Sequence, residues 1–213
     1  MKNKSYLLIA LPVVLGLVYL WMRPYQAELA HAHLPISQLN SQQKTNIQLA
    51  AAKLDKTVIT LDRPFSFNNK VGPRTFERGF LAAPTYVGNY TQTTEGGGIC
   101  LVASLLYKAA LEAGLDIPER HGHTKTISSS LPGYDATVNY GHQDLKLSAP
   151  SKSASYLISC KADPYSIDLK IYGDPQEKKQ LSRKFVQTGP HEIRVLTYKQ
   201  DKLVSADDYK TKH

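Results

Sequence analysis

Cysteine and tryptophan are scarce in this 213-residue chain, which has two cysteines and one tryptophan. The most the chain can form is therefore one disulfide, Cys100 with Cys160. No Cys-x-x-Cys or His-x-x-x-His pair occurs, so the spacing of a structural or catalytic zinc site is missing. Internal repeats and low-complexity blocks are absent as well. The formal net charge is +8, but Lys2, Lys4 and Arg23 stand ahead of any acidic residue and leave five for the remainder. Those charges interleave with acidic residues and form no basic stripe with aromatic punctuation, so nucleic acid is not an expected partner. A 42% hydrophobic content suffices for one sizeable core.

Charge is also missing from the seventeen residues Tyr6 to Met22 of MKNKSYLLIALPVVLGLVYLWMRP. A membrane span needs roughly 17–25 apolar residues and a signal-peptide core about 7–15. The length favours an uncleaved transmembrane anchor. Lys2 and Lys4 would hold its tip in the cytoplasm and place the body outside a single-pass cytoplasmic membrane protein. Cleavage near Ala30-His31-Ala32, giving a secreted or periplasmic body, is the alternative. The expected organisation is residues 1–23 as cytoplasmic tip and anchor, 24–40 as linker, 41–199 as the folded domain and 200–213 as a polar, frayed tail.

Within the domain, Ser41 to Lys56 shows helical spacing of Ile47, Leu49, Ala50, Ala51 and Leu54, and Thr57 to Leu61 alternates as a strand. A central helix is predicted from Ile99 to Ala113, burying Val102, Leu105, Leu106, Ala109 and Ala113, exposing Ser104, Lys108 and Glu112, and stopping at Gly114. Strand signals follow in LDIPERHGHTKTI, in ATVNY and QDLKLSA as a hairpin pair around Tyr140-Gly141, and in SASYLISC, YSIDLKIYG and HEIRVLTY. The pattern predicts an α+β fold: a mainly antiparallel sheet with a central helix led by a Gly-rich loop and Cys, plus the N-terminal transmembrane helix.

The loop is EGGGIC. Three glycines deliver Cys100 to the first turn of the central helix, where unpaired amides and the helix dipole favour thiolate. Gly97 and Gly98 would let an acyl group approach backbone amides suited to an oxyanion. His121 and His123, two apart in a strand, would share a face and supply a base, and Asp135 after the Pro132-Gly133 turn would orient it. Each has a plainer reading: a packed loop, a solvated strand face, a turn-capping aspartate, or a metal site of Cys100 with both histidines that the spacing disfavours. Cys160 alternates with apolar neighbours and reads as core or as the disulfide partner.

FSFNNKVGPRTFERGF, GGGICLVASLLYKAALEAGL, ERHGH and PGYDATVNYGHQDLKL, in that order, resemble the VanW family from about Asn46 to Gly173. By that resemblance Cys100, His123, Asp135, Gly97, Gly98 and Arg120 stand where the family has the same residue types. Leu101 departs from a common glutamine, and Cys160 stands where an apolar residue is usual. The resemblance implies a bacterial envelope protein, and its link to glycopeptide-resistance gene clusters implies peptidoglycan or envelope proteins as partners. No cofactor or metal is implied. A looser similarity, from Gly96 to Arg120, is to transglutaminase-like cysteine enzymes. Two functions follow as expectations: Cys–His–Asp acyl transfer or amide hydrolysis, as in a cysteine amidase, peptidase or transpeptidase-like enzyme, and a non-catalytic envelope binding module.

Overall fold

The computed structural model describes residues 25–87, 90–127 and 130–211. Helix α1 spans Ser41–Leu54, where the Asn40 side chain caps the first turn by accepting from the Gln43 amide at 2.8 Å. Its apolar stripe of Ile47, Ala50, Ala51 and Leu54 is buried as the spacing requires. A five-residue helix, α2, covers Phe67–Val71, and the central helix α3 covers Ile99–Ala113. Both helices α1 and α3 lie on an antiparallel sheet of β1 (Ala27–Pro35), β9 (Ser166–Gly173), β8 (Ser155–Ala162) and β2 (Thr57–Thr60), in that order. Contacts of α3 are chiefly with β1 and β9, and those of α1 with β8.

Three smaller antiparallel units complete the fold. They are β3 (Phe65–Ser66), β7 (Lys146–Ser148) and β6 (Asp116–Glu119); the hairpin β4 (Ala82–Val87) and β5 (Tyr90–Glu95); and β10 (Leu181–Gly189), β11 (Glu192–Lys199) and β12 (Lys202–Lys210). The α+β expectation is therefore corrected: antiparallel strands dominate and helices are few. Much of the difference comes from polar sequence. Residues after Lys199, expected to fray, form β12 by pairing Lys202–Lys210 against β11. A strand that presents one face to a partner and the other to water needs little apolar content to be stable.

The expected transmembrane helix and the single-pass membrane localisation are corrected too. Among the described residues no helix is long and apolar enough to cross a membrane. The longest, α3, has 15 residues, where a span needs about 20, and its apolar surface is spent on the core. Tyr6 to Met22 lies outside the described residues.

Helix α3 is buried nearly all round, so its predicted amphipathicity is only partly realised: Ser104 and Glu112, expected at the surface, are buried, and Leu105 is half-buried. The sheet takes one side of it. Residues 135–138 run along the other, and the Ser104 hydroxyl is their attachment, accepting from the Ala136 amide at 2.9 Å. The expected hairpin around Tyr140-Gly141 shrinks to one bridge between Asn139 and Gln143, and the strand through IPERHGH ends at Glu119. This early end matters for the histidines.

Candidate active site

Each glycine before Cys100 has a separate physical task. Gly96 takes φ +79°, and a Cβ there would stand 2.7 Å from the Arg74 Cγ. Gly97 has strand β4 pressed against it, so that a Cβ would overlap the Ala83 carbonyl. Its own carbonyl accepts from the buried Asn46 side chain at 3.0 Å. Gly98 is the N-cap of α3 in the left-handed region, φ 98°, where a side chain is strained. The amides of Ile99 and Leu101 turn back to the carbonyls of Gly96 and Gly98, at 3.3 and 3.1 Å. No acceptor for the Cys100 amide lies among the described residues, the common condition of a helix's first turn.

Cys100 itself is half-buried, and its thiol donates to the Val138 carbonyl at 3.8 Å. Leu101, by contrast, is core. Because the strand stops at Glu119, the alternation that would align the two histidines is lost. His121 turns to Glu119 at 3.0 Å, and Glu119 also pairs with Lys146 at 2.8 Å. Lys146 first and His121 second hold the Glu119 carboxyl down at about 2. His123 goes to Asp135 instead: its Nδ1 lies 2.6 Å from Asp135 Oδ2, and its backbone amide donates to the same oxygen at 2.7 Å. Cys100 is the other group that acts on the imidazole, favouring its charged form.

Burial alone would push His123 down, but the Asp135 carboxylate and Cys100 lift it to about 9. The ring is thus an imidazolium at neutral pH. For Asp135, 1% exposed, burial favours the neutral acid. Contacts from His123, Arg120 and Tyr209 outweigh that and bring it to about 2. Arg120 donates from Nη2 to Asp135 Oδ1 at 2.9 Å, from Nε to the Asp135 carbonyl at 2.7 Å and from Nη1 to Asp207. It also lies over the Tyr107 ring, 4.9 Å from its centroid. Its donors are spent inside the protein, which makes it a positioning residue for Asp135. The Tyr209 hydroxyl adds a third donor to Asp135 Oδ1 at 2.6 Å and accepts from the Gly133 amide at 2.8 Å.

Asp207 and Tyr209, two apart on one face of β12, are the part of this network that sequence reading misses, because they sit in the stretch taken for a tail. The same strand holds the segment after His123, through Thr126 N to Lys210 O and Lys210 N to Thr124 O, both 3.0 Å. Ser104 is another residue that apolar spacing assigns to the surface, and a hydroxyl one turn after Cys100 is the signal for its inward role.

Cys160 is buried on β8 and free, so the disulfide is not formed. Burial, then Asp55 and Asp168, push its thiol up to about 12. Among the described residues no group of three or more His, Cys, Asp or Glu side chains could hold a metal ion.

The profile described as VanW like protein matches residues 42–172, well over half of the chain. The chain belongs to the VanW family. It is similar to the uncharacterized protein YoaR of Bacillus subtilis, with 39% identity over 125 residues, 54% of this chain and 41% of that protein. It is also similar to the vancomycin B-type resistance protein VanW of Enterococcus faecalis, with 29% identity over 136 residues, 62% of this chain and 49% of that one. The chain therefore spans less than half the length of either relative. No solved structure matches it significantly, and the resemblance to transglutaminase-like enzymes is not shown by these comparisons. Cys100, His123, Asp135 and Arg120 all fall inside the VanW block, whereas Asp207 and Tyr209 lie beyond it.

Proposed function

We propose that this VanW-family protein is a cysteine acyl-transfer enzyme acting on amides of peptidoglycan-type peptides. The observation that carries the reading is His123, joined by Nδ1 to the buried Asp135, together with the half-buried Cys100 at the start of α3, which favours the charged imidazole. A Cys–His pair with a third group orienting the base is the arrangement nucleophilic catalysis requires. The Cys100 sulfur attacks the amide carbon, forming a C–S bond as the carbonyl electrons move to oxygen. Collapse then breaks the C–N bond, and the imidazolium of His123 gives its proton to the departing amine. Water, or a second amine, attacks the thioester; His123 takes a proton from it, and the Cys100 thiolate is released. The unpaired Cys100 amide is a donor for the transient oxyanion.

The peptidoglycan part rests on the resistance protein named above. A non-catalytic envelope binding module is the competing reading, and packing accounts for all three glycines without a substrate. The two separate with p-nitrophenyl acetate. A catalytic Cys100 gives a burst of nitrophenolate and an acetyl adduct on Cys100, and Cys100→Ala gives neither. Equal acetylation of the variant, or no adduct in the parent protein, would remove the catalytic reading.

A further inference from the structure

A cavity of about 460 Å³ opens between β6 and β12, the end strands of their two sheets. That volume lies in the range of small-molecule sites. Tyr107 and Leu111 of α3 floor it, and Ile117 and the 49% exposed Leu203 stand on its walls. Arg120 and Asp207 line it as well, so the cavity reaches the guanidinium that positions Asp135.

The charges lining it do not balance. Arg120, Lys199 and Lys202 face only two carboxylates, Asp116 and Asp207, and Asp207 is taken by Arg120. Lys199 and Lys202 stand directly opposite each other across the β11–β12 hairpin. The two-residue turn between them fixes that register, with Gln200 at φ 48° and Asp201 at φ 62°, both left-handed as a type I′ turn requires. Like charges opposed in this way destabilise a sheet. The lysine ion pairs among the described residues are those of Lys108, Lys146, Lys170 and Lys178, so neither ammonium of the opposed pair has a carboxylate partner. Lys199 is half-buried and donates from Nζ to the Leu115 carbonyl at 3.3 Å, which uses one of its three donors. Burial pulls this ammonium below its usual value; Asp116 offsets part of that, and Lys202 adds to it.

We infer that this cavity binds a small organic acid, its carboxylate held by Lys199 and Lys202 and its aliphatic body lying on Leu111, Ile117 and Leu203. An anion between the two lysines relieves their repulsion and takes up their free donors through charge-assisted hydrogen bonds. The apolar floor and walls favour a ligand with hydrocarbon attached over a bare inorganic anion. The site is separate from the acyl-transfer reading, because Leu111 stands eleven residues along α3 from Cys100, roughly 16 Å by helical rise.

Calorimetry on the full-length protein with N-acetylleucine, N-acetylleucinamide and inorganic phosphate tests the assignment. The acid should bind about tenfold more tightly than either of the others, the size of one charged hydrogen bond. Lys202→Gln, at an exposed position, should remove most of the preference for acid over amide, and Leu203→Ser should weaken both while keeping that preference. No binding of the acid, equal binding of acid and amide, a preference unchanged in Lys202→Gln, or phosphate binding as tightly as the acid would each overturn the assignment. With no ligand present, Lys202→Gln should also raise the midpoint of thermal unfolding, since it removes one of two opposed charges. A lower midpoint would contradict the repulsion on which the inference stands.

Discussion

Asp135→Ala is expected to lower folding stability by about 3–5 kcal/mol, the usual cost of stripping one partner from a buried ion pair. The carboxylate accepts from His123, Arg120, Tyr209 and the Gly133 amide. Removing it leaves Arg120, whose side chain is 6% exposed, with Asp207 as its remaining carboxylate, and leaves the His123 imidazolium without its counter-charge. The sign of the pH dependence follows from the two shifts. Asp135, depressed to about 2, contributes stability that is present above the ordinary carboxyl pKa of about 4 and is lost as pH falls through 2. His123, raised to about 9, contributes stability present in full below about 6.5 and lost as pH rises through 9. The gap between parent and variant should therefore be widest near pH 5–6 and narrow toward pH 10. Urea unfolding at pH 6 and pH 10 measures it, and a gap below about 1 kcal/mol at pH 6 would contradict the network.

His123→Ala is expected to slow acetyl transfer from p-nitrophenyl acetate through Cys100 by about 10²–10⁴-fold at pH 7, the range of a positioned acid–base group. His123 is joined to Asp135, whereas His121 is engaged by Glu119. His121→Ala should therefore stay within about twofold of the parent. Added imidazole should recover part of the lost rate in His123→Ala, a response that general damage to the fold would not give. If His121→Ala lost as much activity as His123→Ala, the assignment of the base would be wrong.

The sequence makes the centre of this protein legible and its periphery much less so. Helices α1 and α3 announce themselves through apolar spacing and their caps, and strands β8 and β9 through alternation. Cys100, the pair His121 and His123, and Asp135 could be nominated from residue type and order alone. Which histidine meets Asp135 could not, because that depends on where β6 ends, and Pro118 and Gly122 bracket the break at Glu119 without fixing which side chain turns inward. Strand β12 is hidden for a different reason: its residues are polar, and pairing with β11 supplies the order that local propensity does not. Tyr209 and Asp207 therefore enter the site unannounced. The glycine run shows the reverse error, since a pattern that invites a substrate is taken up at Gly96 and Gly97 by Arg74 and the β4 backbone.

The most direct test is the rate of Cys100 alkylation by iodoacetamide between pH 5 and pH 10, in the parent protein and in His123→Ala. Cys160 stays silent over most of that range, being buried and pushed up to about 12. If His123 and Cys100 act as one unit, the parent should be alkylated about tenfold or more faster than the variant at pH 7. Coincident profiles, or a thiol unreactive in both proteins, would show that Cys100 and His123 do not act as one unit.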